Sequence, residues 1–428
     1  MIAGISSSLN DRHTHRIKLN NGIVLLVVEN PVADIISTRC FLRCGSYCDP
    51  PENSGIANLV SALLTKGTPN FSSTDIAERI ESVGASCGVD VAADYLLVSL
   101  KTVSEDFAPL FALLAEMMRS PTFPRDRIEL EKRLILQSIR QSAEQPFSVV
   151  LKALREGMYG EHPYGKSTLG TEESVKNITK ENLHEFHQNY FRPDNLVISI
   201  CGRASVSDAV DLVEKNFGDW QVPDRTIPRR NSATRNLSHV GGLAIAPQET
   251  QQSIVMVGYP GASVNSDDYP ALKLLNTYLG NGLSSRLFVE LREKRGLAYD
   301  VSAFYPTRQD RSMFVAYMGT APSNTEIALS SLKAEVARLS DIFLKAEELT
   351  TSKNKLLGQY ALGKQTNSQI AHILGWYETL GLGIEFDLKF QEAISSVTIP
   401  SAREIAERYL TTPYVAITGP EDVVNAIV

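Results

Sequence analysis

The chain has 428 residues, of which 43% are hydrophobic and 21% are charged, as is usual for a soluble globular protein of about two domains. Its formal net charge of −7 argues against nucleic acid as the main partner, because such proteins usually carry a basic patch. No apolar run approaches the roughly 18–20 residues of a membrane span.

Neither the N-terminus nor the cysteines suggest an exported protein. The first residues lack the charged and apolar regions of a secretory signal. The five cysteines are odd in number, so we expect reduced thiols and a cytoplasmic location. Cys40, Cys44 and Cys48 are regularly spaced like metal ligands, but a strand followed by a Pro-rich loop favours a structural role.

The first half alternates between strand and helix patterns. Its most informative stretch is Gly55 to Thr68, where apolar residues recur with the spacing of an amphipathic helix that Ser54 or Asn53 could cap. The small residues Asn58, Ser61 and Ala62 lie on its opposite stripe. The other predicted elements are strands at 23–29, 35–43, 89–103 and 196–201, and helices at 73–83, 107–119, 126–145, 147–159 and 180–190.

A polar, Pro-containing segment at 221–240 reads as a linker between domains at 1–220 and 241–428. The order of elements then restarts, which indicates an internal duplication. Strand runs interrupted by helix pairs favour an α+β fold with largely antiparallel sheets. The predicted elements are strands at 242–246, 253–259, 301–305, 313–319 and 414–418, and helices at 269–279, 284–294, 324–339, 346–365 and 367–380.

The chain resembles the inverzincin zinc peptidases, which include insulysin, pitrilysin and the mitochondrial processing peptidases. Gly55, Ala57 and the run Lys66-Gly67-Thr68 match the family's zinc-binding helix, and His162-Pro163-Tyr164-Gly165 matches a later loop. The resemblance implies two duplicated α/β-roll domains, each a mostly antiparallel sheet flanked by helices. It also implies a clam-shell of two chains that encloses unfolded peptide substrates.

The metal-binding positions depart from the family pattern. The two histidine ligands are replaced by Asn58 and Ala62, the general-base glutamate by Ser61, and the third ligand by Ser138, while Glu131 keeps an acidic residue. Catalytic zinc requires three imidazole or carboxylate ligands and an open position for water. We therefore expect no metal and no peptidase activity from this chain alone.

Another part of the family pattern is retained in the second half. Arg292 and Tyr299 match an Arg–Tyr pair that the resemblance assigns to substrate binding in a partner's active site. From the residues alone, a surface arginine and a strand-edge tyrosine remain the alternative. His184 and His187 have a metal-compatible spacing, but we interpret them as structural.

The resemblance leads to a functional hypothesis. The chain is expected to be the non-catalytic, substrate-binding subunit of a heterodimeric zinc oligopeptidase, with zinc held only by its homologous partner. The alternative is an enzymatically silent structural protein, either homodimeric or a core subunit of a larger assembly.

Overall fold

A computed structural model describes residues 5–9, 12–228 and 241–427 of the chain. Its strands are β1 (Ile5–Leu9), β2 (Arg12–Lys18), β3 (Val24–Glu29), β4 (Ile36–Leu42), β5 (Ser86–Val91), β6 (Leu96–Thr102), β7 (Leu196–Gly202), β8 (Gly242–Pro247), β9 (Ser253–Pro260), β10 (Asp300–Phe304), β11 (Met313–Thr320) and β12 (Tyr414–Gly419).

The α-helices occupy the segments between these strands. They are α1 (Ile56–Leu63), α2 (Ser73–Glu81), α3 (Ser104–Arg119), α4 (Arg125–Glu144), α5 (Pro146–Tyr159), α6 (Glu172–Asn177), α7 (Lys180–Tyr190), α8 (Val206–Phe217), α9 (Tyr269–Gly280), α10 (Thr325–Asp341), α11 (Ala346–Leu362), α12 (Asn367–Thr379), α13 (Phe386–Ser396), α14 (Ile399–Tyr409) and α15 (Glu421–Asn425). A π-helix covers Phe288–Lys294.

Two sheets repeat one topology. The larger sheet has the order β1-β2-β3-β7-β4-β6-β5, and the smaller has β8-β12-β9-β11-β10. In each, the first and last strands of the repeat are parallel (β3 with β7, β8 with β12), and the remaining neighbours are antiparallel. The predicted α+β fold of two duplicated, mostly antiparallel sheets is therefore confirmed.

Each sheet lies in its own compact unit. Unit 1 contains the described residues of Met1–Ile139, Ser167–Arg230 and Ala361–Asp387. Unit 2 contains those of Arg140–Lys166, Asn231–Tyr360 and Leu388–Val428. Each unit thus includes a segment from the other half of the sequence. The predicted domains at 1–220 and 241–428 do not include this exchange of segments.

The exchanged segments supply equivalent helices. In unit 1, α12 packs on β4, β7 and β3, and in unit 2, α5 packs on β9, β12 and β8. These strands correspond under the duplication. Both helices lie close to the strands of their sheets. A Cβ atom on Gly375 of α12 would lie 2.5 Å from Cε2 of Phe41 in β4, and one on Gly157 of α5 would overlap the ring of Tyr414 in β12. Glycine is therefore required at both contacts.

Several elements differ from the predictions. The N-terminal region had no predicted pattern, yet β1 and β2 form an antiparallel extension of the larger sheet. Helices α8, α13 and α14 were also missed. Residues 229–240 of the predicted linker lie outside the described residues, and 221–228 form neither helix nor strand.

Candidate functional site

The N-terminus of α1 is hydrogen-bonded to the carboxylate of Asp49, six residues before Gly55, rather than to the predicted caps. Gly55 precedes the helix with φ of 92°, a conformation that favours glycine. Asp49 Oδ2 accepts a hydrogen bond from Gly55 N at 2.7 Å, and Oδ1 accepts one from Ala57 N at 3.1 Å. The prediction of Ser54 or Asn53 as the cap was wrong, because neither side chain caps the helix.

The three positions of the family's metal ligands and the position of its general base hold small, uncharged side chains. Asn58 and Ala62 are half-buried, one turn apart on α1. Ser61 is buried, and its hydroxyl donates to the Val89 carbonyl at 3.4 Å. Ser138 is exposed on α4, where its hydroxyl donates to the carbonyl of Leu134 at 3.0 Å.

An ion pair joins the segment that follows α1 to α4. Lys66 Nζ lies 3.2 Å from Oε1 of Glu131, whose side chain is largely buried. Ser138 follows Glu131 by two helical turns and therefore shares its side of α4. The framework residues that match the family pattern are thus in contact, although the ligand positions between them have changed.

This donor set does not fit zinc. An amide, a methyl group and a hydroxyl replace the two imidazoles and the carboxylate that a catalytic zinc requires, and a second hydroxyl replaces the general base. Within residues 5–9, 12–228 and 241–427, no group of three or more histidine, cysteine, aspartate or glutamate side chains could hold a metal ion.

The two helical histidines are packed against aromatic rings. His187 Nε2 lies 2.8 Å from the carbonyl oxygen of Met118, so this nitrogen is the protonated donor. Burial lowers the pKa of His187 to about 4. The His184 ring contacts the Phe123 ring edge-on at 5.1 Å. These contacts support the structural interpretation of both residues.

The cysteines also have structural surroundings. None of the five forms a disulfide in the described part of the chain, and Cys40, Cys44 and Cys201 are buried. Burial raises the pKa of the Cys40 and Cys44 thiols, and it raises the pKa of Cys87 to about 11. Because the thiolate is the metal-binding and nucleophilic form, these three side chains are unsuited to either role at neutral pH.

Arg292 and Tyr299 both belong to unit 2 and face solvent. Arg292 is exposed on the π-helix, with its guanidinium 5.0 Å from the centroid of the Phe288 ring. Tyr299 immediately precedes β10 and is 62% exposed. A π-helical turn is rare and often marks a functional site. Both side chains are thus available for an external ligand.

The backbone between these two residues is fixed at several points. Leu297 N donates to Leu291 O at 2.9 Å, and Gly296 has φ of 63°. Tyr299 N donates to Gly319 O at 2.9 Å on the neighbouring strand. The turn that connects the π-helix to β10 is therefore ordered by the protein itself, which sets the positions of Arg292 and Tyr299 before any ligand binds.

The π-helix is anchored to α10 by ion pairs that were not predicted from the sequence. Arg286 Nε lies 2.8 Å from Oε2 of the buried Glu335, and its Nη1 lies 3.3 Å from Oε1 of Glu290. Arg295 reaches the other oxygen of Glu335 at 3.5 Å. The i,i+4 spacing of Arg286 and Glu290 was the available signal.

Two family models match successive parts of the chain. Residues 24–172 match the insulinase model of peptidase family M16, and residues 177–356 match the model described as the peptidase M16 inactive domain. The chain belongs to peptidase family M16. The resemblance to insulysin and the processing peptidases is thereby confirmed.

Relatives of this M16 chain align over nearly its full length. An uncharacterized zinc protease of Bacillus subtilis, YmxG, is 26% identical over 95% of this chain and 98% of its own length. Another, from Rickettsia felis, is 25% identical over 95% and 97%. Both relatives are described as zinc proteases, whereas Asn58, Ala62 and Ser138 of this M16 chain do not provide a zinc ligand set.

Solved structures share the fold. A protease from Helicobacter pylori superposes with a TM-score of 0.90 at 20% identity, covering 95% of this chain and 99% of its own. A peptidase M16 inactive domain from Pseudomonas fluorescens gives a TM-score of 0.89 at 25% identity, covering 96% and 98%. In the described part of the M16 chain, no helix is long and apolar enough to cross a membrane.

Proposed function

We propose that this M16 chain is the non-catalytic, substrate-binding subunit of a heterodimeric zinc oligopeptidase. The observation that carries the proposal is a contrast between its two halves. The ligand positions Asn58, Ala62 and Ser138 offer no metal site, whereas Arg292 and Tyr299 are exposed on an ordered support. The binding function is thus assigned to the second half.

The chemistry of the two side chains suits a peptide group. A guanidinium and a phenol both donate hydrogen bonds, and neither accepts a proton near neutral pH. Aimed at the carbonyl oxygen of a scissile peptide, Arg292 and Tyr299 would stabilise the negative charge that develops there when water attacks. Zinc in the homologous partner would supply the activated water.

The proposal also includes the partner chain, the substrates and the cellular compartment. The partner is a homologous chain with an intact zinc motif, and the substrates are unfolded peptides. Five cysteines without a disulfide among the described residues support a reducing, cytoplasmic compartment.

Reconstitution tests this function. The chain is mixed with a zinc-bearing M16 homologue from the same organism, and peptide cleavage is measured for Arg292→Ala, Arg292→Lys and Tyr299→Phe. We expect Arg292→Ala to lower kcat/KM by about 10²–10³, the loss typical of one oxyanion donor. Lys333→Ala, at an exposed position on α10, is the control and should leave kcat/KM unchanged.

Assembly is measured in the same samples by size-exclusion chromatography. Wild type and all variants are expected to elute together with the zinc-bearing homologue. Normal cleavage by both the Arg292→Ala and Tyr299→Phe complexes would exclude the proposed role. A chain that associates only with itself would support the enzymatically silent, homodimeric alternative.

A further inference from the structure

A polar cavity of about 300 Å³ lies within unit 2, between the end of α9, the start of the π-helix and α11. Tyr278 contributes from α9, Ser285 and Val289 from the segment leading into and through the π-helix, and Glu347 and Glu348 from α11. Since Arg292 is three residues beyond Val289, the cavity adjoins the element that carries the proposed substrate-binding arginine.

A buried hydroxyl in the cavity wall has no hydrogen-bond partner among the described residues. Ser285 is only 2% exposed, and its Oγ makes no hydrogen bond to them. Leaving such a group unsatisfied is unfavourable, so most buried polar groups in proteins are paired. A ligand that enters the cavity could satisfy this hydroxyl.

Three carboxylates line the cavity: Glu290 pairs with Arg286 and Lys294, whereas Glu347 and Glu348 form no ion pair among the described residues. Glu348 Oε1 accepts the hydroxyl of Tyr278 at 3.2 Å, and Oε2 accepts the backbone N–H of Lys345 at 2.8 Å. Burial, together with the adjacent Glu348 carboxylate, raises the pKa of Tyr278 to about 12, which keeps this phenol a donor. Glu347 is exposed, with no ion pair among the described residues.

The two cations in the cavity wall do not pair with Glu347 or Glu348. Arg286 pairs with Glu335 and Glu290, and Lys355 Nζ donates to the carbonyl of Asn281. With three carboxylates and these two cations, the wall carries one net negative charge. A ligand that brings its own positive charge would complement it.

The duplication gives the cavity a counterpart in unit 1. α9 packs on β10 and α14 as α1 packs on β5 and α7, and α11 takes the place of α4 in the order of elements. The Tyr278–Glu348 hydrogen bond and the Lys66–Glu131 ion pair thus join equivalent segments of the two units. The second half has a polar cavity between the helices whose first-half equivalents carry the substituted metal positions.

We propose that this cavity binds a primary ammonium group of the peptide substrate, with Glu347 and Glu348 as its counter-charges and Ser285 as a hydrogen-bond partner. The inference rests on the proposed function, because it assumes that the chain binds peptides. The volume accommodates the butylammonium side chain of lysine, and Val289 offers an apolar contact for its methylene groups. The N-terminal amine of a peptide has the same chemistry.

Calorimetric titration of the full chain distinguishes these sources. The probes are a decapeptide with one lysine and a free N-terminus, its lysine-to-norleucine analogue, its N-acetylated analogue, and butylammonium alone. If lysine is the source, norleucine weakens binding about tenfold, as expected for one charge-assisted hydrogen bond, and acetylation has no effect. If the N-terminal amine is the source, acetylation weakens binding about tenfold and norleucine has no effect.

Variants assign the effect to the cavity. Glu348→Gln keeps an acceptor for Tyr278, and Glu347→Gln changes an exposed side chain, so both should fold. Each is expected to weaken binding of the charged peptide and of butylammonium about tenfold, and to leave the binding of the matching uncharged peptide unaltered. Glu392→Gln, at an exposed position on α13, is the matched control and should change neither.

The proposal is overturned if both uncharged peptides bind as tightly as the parent, or if butylammonium binding is insensitive to Glu347→Gln and Glu348→Gln. Cleavage by the reconstituted complex separates this result from the proposed function. Loss of cleavage in Arg292→Ala without ammonium preference refutes only the cavity assignment. Ammonium preference with normal Arg292→Ala cleavage refutes only the role of Arg292.

Discussion

Lys66 and Glu131 form an ion pair of 3.2 Å that connects the segment after α1 to α4. Both residues match the family pattern of a zinc peptidase, although the ligand positions on the same two helices are occupied by Asn58, Ala62 and Ser138. Removing one partner from a buried ion pair is strongly destabilising. The pair therefore has a folding role that persists without the metal.

This retained framework predicts that a metal site can be restored. The triple variant Asn58→His, Ala62→His and Ser138→Glu places two imidazoles at i and i+4 of one helix and a carboxylate on the other. We expect it to bind about one zinc ion per chain, measured by metal analysis after dialysis. The double variant Asn58→His, Ser138→Glu has too few ligands and is the control. A folded triple variant with no more zinc than this control would contradict the prediction.

A second prediction concerns the attachment of the exchanged helix α12 within unit 1. Arg16 donates two hydrogen bonds to the largely buried Glu378, from Nε at 2.9 Å and from Nη2 at 2.7 Å. Arg16→Met would leave this carboxylate with only the longer contact to Arg43 Nη2, 3.9 Å from its Oε1, so we expect it to lower the free energy of unfolding by about 2 kcal/mol. Urea denaturation measures the effect.

The matched control is an exposed pair. Lys176 and Glu172 are 3.1 Å apart on α6, and both are well exposed. Lys176→Met should cost at most about 0.5 kcal/mol. The double variant Arg16→Met, Glu378→Leu should recover much of the loss, because it removes the buried charge. Equal effects of Arg16→Met and Lys176→Met would show that the buried pair does not hold the helix.

A third prediction tests the close approach of α12 to the larger sheet. A methyl group at Gly375 would lie 2.5 Å from Phe41 Cε2 and 3.1 Å from Ser199 Cβ. Gly375→Ala should therefore destabilise the protein by about 1–3 kcal/mol through overpacking. Gly358 lies in α11 with open space around it, so Gly358→Ala should stabilise its helix by up to about 1 kcal/mol. Thermal denaturation that showed the same sign for both substitutions would refute this packing argument.

The sequence predicts the two sheets better than it predicts which helices cover them. Strand alternation identified β3, β4, β6 and β7, and the repeated order revealed the duplication. The pattern of Val150, Leu154 and Met158 specifies a buried face on α5, but helical periodicity says nothing about which sheet this face contacts. The exchange of α5 and α12 is a property of tertiary packing.

The candidate site could be predicted only in part. Arg292 and Tyr299 were identified by resemblance, because an exposed arginine and tyrosine have no periodic signal of their own. The π-helix was predicted as an ordinary helix, because apolar spacing does not distinguish i→i+5 from i→i+4 hydrogen bonding. The cavity near Ser285 was not anticipated, because an unpaired buried hydroxyl becomes apparent only when its neighbours in space are known.

A fourth prediction concerns stability in acid. Burial lowers the pKa of His187 to about 4 from an ordinary value of about 6.5. The unfolded chain therefore binds a proton at a higher pH than the folded chain does. Stability from this residue is complete above about pH 6.5, falls as the pH decreases toward 4, and loses about 3 kcal/mol over that range.

Comparison of two histidine variants isolates this effect. His187→Gln removes the titrating group, so its free energy of unfolding should depend less steeply on pH between 6.5 and 4 than that of wild type. His184→Gln is the control, because His184 is more accessible than His187 and its pKa is lowered less. Urea denaturation at intervals of pH measures both slopes. Parallel profiles for wild type and His187→Gln would show that His187 does not account for the loss of stability in acid.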